Sequence, residues 1–161
     1  MEDDTKSTVT FFLNSWLEEA TSSCDTFLEN INKPFSFDDP FHKRRMFEEH
    51  YVLTATVMSI RFAKQLVNHA KKPLKDQLEA FIEETQLAVD VRDMREHSDE
   101  YFTGKGRKKA SFYQGSENGL EIDMSSSIQN EHGYMLGNVI SMEEISKKCS
   151  ELLQALPQNS A

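Results

Sequence analysis

Apolar residues recur at alternating spacings of three and four over most of the first hundred residues, and this period constrains the fold most strongly. Such spacing lines side chains along one face of an α-helix, where they can enter a common core. We therefore predict three long helices, from about residue 7 to 30, from about 42 to 70 and from about 73 to 100. Two prolines and an Asp pair between residues 33 and 40 separate the first helix from the second.

The second predicted helix carries two apolar stripes. One stripe contains Phe47 and Tyr51, and the other, on the opposite side, contains Leu53 and Val57. A helix that is apolar on two sides is expected to pack on two sides, so we predict that this helix is central.

The helical period disappears between residues 110 and 140. Apolar segments at 112–114 and 120–124 flank a Gly-containing loop, which predicts a β-hairpin, and residues 133–139 are a candidate third strand.

A last helix is predicted to begin at Ser141, because Ser141 and Glu144 have the spacing of a capping box. Pro157 ends this helix, and residues 158–161 are expected to form a frayed tail. The predicted fold is mainly α: one domain spanning 1–161, an antiparallel four-helix bundle with a small β-hairpin insertion between helices 3 and 4. A chain of 161 residues can bury a core without a metal or a disulfide.

The net charge of −9 argues against a general affinity for nucleic acids or anionic lipids. The clearest basic patch is Lys105, Arg107, Lys108 and Lys109. The chain has no apolar run long enough to span a membrane, and its first residues are acidic, so we expect a cytoplasmic protein without membrane contact.

The two cysteines, Cys24 and Cys149, fall on apolar helical stripes and are predicted to be buried and reduced. A bridge between them would require adjacent helices and an oxidising compartment. Neither the cysteines nor the histidines have a metal-ligand spacing, so no metal or cofactor is expected.

The candidate chemical site lies near the end of the third predicted helix. At about 100° per residue, Arg92 and Glu96 continue the stripe that apolar residues begin, and charged groups on such a line need partners. Arg92 can pair with Glu96, and Asp93 can place a carboxylate beside the imidazole of His97, since each pair stands four residues apart. Arg95 and Asp99 have the same spacing.

Arg92 is followed directly by the polar Asp93, and four residues separate Arg92 from His97. This arrangement resembles the signature of the HEPN superfamily. The resemblance implies a helical bundle, often dimeric, and in many members a metal-independent ribonuclease of toxin–antitoxin or defence systems. It further implies that His97 acts in acid–base catalysis, that Arg92 stabilises the phosphate and that Asp93 orients the histidine. Asp93 stands where asparagine is more usual. Lys105, Arg107 and Lys108 are then the candidate RNA contacts.

Residues five apart on a helix point about 140° apart, so Arg92 and His97 of one chain do not face one phosphate easily. A site shared across the two-fold axis of a homodimer relieves this difficulty. Two alternatives stay open: a solvated helix end held by ion pairs with no chemical role, and a non-catalytic module that binds a cognate protein partner.

Overall fold

The computed structural model describes residues 3–117 and 119–157, and the fold is mainly helical. Six helices lie within these described residues: α1 Asp3–Ile31, α2 Pro40–Val67, α3 Leu74–Glu96, α4 Ser98–Phe102, α5 Lys109–Phe112 and α6 Met142–Ala155. The four long helices, α1, α2, α3 and α6, correspond to those predicted from the apolar period. The predicted tail at 158–161 lies outside the described residues.

The four long helices surround one core. α1 packs against α2 and α6, and α3 packs against the same two helices. Leu13, Leu53, Leu78 and Ile145, one from each helix, are fully buried. Burial of large aliphatic side chains stabilises a fold by about 1.5–3 kcal/mol each, so the apolar period is also the main source of stability.

Side-chain oxygens cap the N-termini of two of the helices. Oδ1 of Asp39 accepts a hydrogen bond from the Phe41 amide at 2.8 Å, at the start of α2. The predicted cap of α6 is confirmed, because Oγ of Ser141 accepts a hydrogen bond from the Glu144 amide at 3.0 Å. These bonds satisfy backbone donors that a helix N-terminus otherwise leaves unpaired.

The third helix is shorter than predicted. α3 ends at Glu96, and His97 leaves the helical region with φ −115° and ψ 29° before α4 begins at Ser98. Neither proline nor glycine marks this break. His97 therefore occupies a corner between two helices.

Two small antiparallel sheets lie between α5 and α6. The predicted hairpin is confirmed: β1 (Tyr113–Glu117) pairs with β2 (Leu120–Asp123). The candidate third strand forms as β4 (Gly133–Leu136), but it belongs to a second sheet with β3 (Ser127–Asn130) and β5 (Ile140–Ser141). Neither β3 nor β5 was predicted from the sequence.

α2 packs on two sides, against α1 and α3, as predicted, but its first apolar stripe is exposed at the N-terminal end. Leu53 and Val57 are buried, but the rings of Phe47 and Tyr51 are 64% and 44% exposed. Their stripe becomes buried only at Ala55, farther along the helix.

None of the helices in 3–117 and 119–157 combines the length and apolar character that a membrane crossing requires.

Candidate functional site

His97 opens onto a small cleft at the corner between α3 and α4. The cleft has a volume of about 150 Å³ and is lined by Asp93, His97, Glu100, Tyr101 and Arg107. The His97 side chain is 54% exposed, and its Nδ1 lies 3.9 Å from Oε1 of Glu100. An exposed imidazole beside a carboxylate and a guanidinium can take a proton from a hydroxyl that lies next to a bound phosphate ester.

The predicted pairing of His97 with Asp93 is wrong in its partner. Asp93 lines the cleft, but the carboxylate within ion-pair distance of the imidazole is that of Glu100. Glu100 lies one turn of α4 beyond His97, and its amide donates to the His97 carbonyl at 3.0 Å, which brings its side chain near the imidazole.

A folded turn after α4 brings Arg107 to the cleft. The amides of Lys105 and Gly106 both donate to the carbonyl of Glu100, at 2.8 and 3.2 Å. Gly106 lies against the ring of Tyr101 so closely that a Cβ at this position would collide with it. The turn is therefore held in place by backbone hydrogen bonds and by an aromatic contact.

Arg92 does not share this cleft with His97. Its Nη2 pairs with Oε1 of Glu96 at 2.6 Å, which confirms the predicted pair, and the same Glu96 oxygen lies 3.7 Å from Nε2 of His50. The Arg92 side chain is 22% exposed. Arg92, Glu96 and His50 thus form a separate cluster between α2 and α3. The contact with His50 was not predictable from local spacing, because His50 lies on another helix.

The predicted pairing of Arg95 with Asp99 is also wrong. Arg95 points inward and donates to Oε2 of Glu49 at 2.9 Å, to Oγ of Ser127 at 2.7 Å and to the Ser126 carbonyl at 3.1 Å. With α3 ending at Glu96, Asp99 is no longer one helical turn beyond Arg95.

The buried Glu49 is the centre of this internal polar network. Besides Arg95, it accepts hydrogen bonds from Oγ of Ser127 at 2.6 Å and from Oη of Tyr134 at 2.5 Å. Burial and the Glu49 carboxylate raise the pKa of the Tyr134 phenol well above its ordinary value. The network joins α2 and α3 to β3 and β4, and its burial excludes it as an open binding site.

The predicted RNA contacts Lys105, Arg107 and Lys108 are all exposed. Only Arg107 lines the His97 cleft. The ammonium of Lys108 pairs with the carboxylate of Asp90 on α3, and this hydrogen bond raises the pKa of Lys108.

Both cysteines are buried and unpaired, in agreement with the prediction. Burial raises the pKa of the Cys149 thiol to about 12. It also raises the pKa of Cys24, with a smaller contribution from the nearby Cys149. Among the described residues, no three His, Cys, Asp or Glu side chains are grouped so as to hold a metal ion.

A groove of about 460 Å³ lies between α1 and α2. The residues that line it include Ser22, Thr26, Arg44, Glu48 and Tyr51. No family model, curated protein or solved structure matches this chain.

Proposed function

We propose that this chain is a HEPN-like endoribonuclease that needs no metal and acts at the His97 cleft, as in toxin–antitoxin or defence systems. The observation that carries the proposal is the meeting of His97 with Arg107 in one cleft, between the carboxylates of Asp93 and Glu100. The resemblance at Arg92, Asp93 and His97 supports the same chemistry.

Cleavage by transesterification fits these residues. The 2′-hydroxyl oxygen attacks the adjacent phosphorus while the imidazole of His97 takes the hydroxyl proton, and the bond from phosphorus to the 5′-oxygen breaks. A proton from solvent or from a second acid goes to the departing 5′-oxygen, which leaves a 2′,3′-cyclic phosphate and a 5′-hydroxyl. The guanidinium of Arg107 stabilises the charge on the non-bridging oxygens, and Glu100 orients the imidazole.

Arg92 enters this scheme from a second copy of the chain. In one chain it is bound to Glu96 and lies outside the cleft. A homodimer whose two-fold axis passes near the end of α3 would bring Arg92 of one protomer toward His97 of the other.

The test is cleavage of a mixed-sequence RNA in EDTA by the wild type and by His97→Ala, Arg107→Ala and Arg92→Ala. We expect each substitution to lower the rate by at least about a hundredfold. His132→Ala and Arg61→Ala are the matched controls, since both replace exposed side chains of the same types elsewhere on the surface. No cleavage by the wild type, or equal cleavage by wild type and His97→Ala, would overturn the proposal.

Complementation separates a composite site from a site within one chain. In a composite site, mixing inactive Arg92→Ala with inactive His97→Ala restores one intact site per heterodimer, about a quarter of wild-type activity for random exchange. If Arg92→Ala alone keeps full activity while Arg107→Ala is inactive, the site is complete within one protomer.

A second candidate function is a non-catalytic module that binds a protein partner. The exposure of Phe47 and Tyr51 on α2, beside the groove between α1 and α2, favours it. A tagged wild type and its Phe47→Asp/Tyr51→Asp variant would be isolated from native cells. A partner held by the wild type and lost by the variant, with no RNA cleavage by either, supports this function.

A further inference from the structure

Two large aromatic rings are exposed next to the His97 cleft. Phe102, at the end of α4, is 60% exposed, and Tyr113, at the start of β1, is 53% exposed. Both pack edgewise on the buried ring of Phe112, with centroid distances of 5.5 and 5.1 Å. Phe112 in turn stacks on Tyr101, which lines the cleft, at 4.9 Å and an interplanar angle of 12°.

These contacts hold the two exposed rings in fixed positions. Phe112 is fully buried and contacts each ring in a perpendicular arrangement, and more than half of Phe102 and of Tyr113 stays exposed to solvent. An aromatic ring that a buried neighbour holds in place and that is largely exposed to water is suited to stacking on another planar ring, because little conformational entropy is lost on binding.

The turn that joins Phe102 to Tyr113 carries cations. Lys105 and Arg107 are exposed, and neither has an ion pair with a described residue. The charge of Asp90 is met by Lys108. Asp99 and Glu100 on α4 oppose a polyanion, as does Asp93 in the cleft, so stacking must supply more of any binding free energy than charge does.

We infer that Phe102 and Tyr113 are a stacking platform for unpaired bases of a single-stranded RNA whose backbone passes Lys105 and Arg107 into the His97 cleft. The occupant is a single strand because the bases of a duplex are stacked on one another and cannot reach exposed protein rings. The inference rests on the proposed function and names the form of RNA that its site accepts.

The test measures binding apart from cleavage. His97→Ala protein is titrated into a fluorescent single-stranded RNA of about ten nucleotides and into the same sequence as a duplex, and anisotropy is followed. Added substitutions are Phe102→Ala, Phe102→Leu and Tyr113→Ala, with Phe37→Ala as control because Phe37 is a highly exposed phenylalanine in the α1–α2 loop.

We expect the single strand to bind more tightly than the duplex, and each of the three platform substitutions to weaken binding at least about fivefold. Phe102→Leu keeps apolar bulk but lacks a stacking face, so its loss of affinity separates base stacking from a general apolar contact. With two cations in contact, affinity should fall only shallowly with salt, with a logarithmic slope near about −1.4.

Equal affinity of the platform variants and the parent, or a preference for the duplex, would overturn the inference. If the same ring substitutions, made in a chain with intact His97, leave RNA cleavage as in the wild type, the proposed function stands and only the platform is rejected; the rings would then be assigned to a protein contact. If the single strand binds through Phe102 and Tyr113 but the wild type never cleaves it, the platform stands and the nuclease proposal is rejected.

Discussion

The carboxylate of Glu49 on α2 accepts a hydrogen bond from Nη1 of Arg95 on α3 at 2.9 Å, with both side chains at least nine-tenths buried. Removing both members of a buried ion pair destabilises a protein far less than removing only one. When one member is removed, the other charge stays buried without compensation. This relationship sets the most direct prediction about stability.

Glu49→Gln keeps the shape of the side chain but removes the charge that faces Arg95. We expect the free energy of unfolding to fall by about 3–5 kcal/mol, measured by urea denaturation at neutral pH. Glu48→Gln is the matched control, since Glu48 forms an exposed pair with Arg44, and its effect should stay below about 1 kcal/mol. Equal effects of the two substitutions would show that the buried network does not stabilise the fold.

Tyr134→Phe should change how stability depends on alkaline pH. Burial and Glu49 raise the pKa of Tyr134, whereas an unfolded tyrosine ionises near 10.0. The unfolded chain therefore releases this proton first, so the stabilisation is complete below about pH 10 and is lost as pH rises toward the folded pKa.

Between pH 9 and about pH 11, the free energy of unfolding should fall by up to about 1.4 kcal/mol more in the wild type than in Tyr134→Phe. Urea denaturation of both proteins at both pH values measures this difference. Tyr51, whose pKa is also raised, is present in both proteins and cancels from the comparison. Parallel losses in the two proteins would contradict the prediction.

Gly106→Ala should disturb the turn that places Arg107 in the cleft. The added methyl group would collide with the ring of Tyr101, and such overpacking costs about 1–3 kcal/mol. We expect reduced stability and faster hydrogen exchange of the Lys105 amide, which is bonded to the Glu100 carbonyl. Lys105→Ala, in the same turn but exposed, should change stability by less than about 0.5 kcal/mol.

The native thiols should be nearly inert. With the pKa of Cys149 raised to about 12, only about one thiol in ten thousand is ionised at pH 8, and Cys24 is shifted in the same direction. Ellman's reagent should therefore titrate both cysteines in denaturant and neither within minutes in the folded protein. Rapid reaction of one thiol in the folded protein would show that its helix opens to solvent.

Features with a local physical cause were predictable from the sequence. The apolar period identifies the four long helices, because each helix must present one apolar face to the core. The cap at Ser141 and the hairpin at 113–123 depend only on residues that are close in sequence. The pairing of Arg92 with Glu96 is local in the same sense, since one helical turn separates them.

Features that depend on distant partners were not predictable. Glu49 lies 46 residues from Arg95 and 85 from Tyr134 along the chain. A short segment of the sequence therefore gives no indication that these three side chains meet. β3 has a polar, serine-rich neighbourhood and forms because β4 pairs with it. In the candidate site, His97 and Arg107 line one cleft at the end of α3. The helix ends at Glu96, where neither proline nor glycine predicts an end.

The place of α6 in the bundle has a consequence for synthesis. α6 packs against both α1 and α3, yet 45 residues separate the end of α3 from its first residue. On a ribosome, the first three helices would therefore wait a few seconds with the apolar surface around Cys24 and Leu78 open to water. Chaperones that bind unfolded chains recognise such exposed apolar surface. The yield of folded protein during synthesis should therefore depend on these chaperones even if the folded protein is stable.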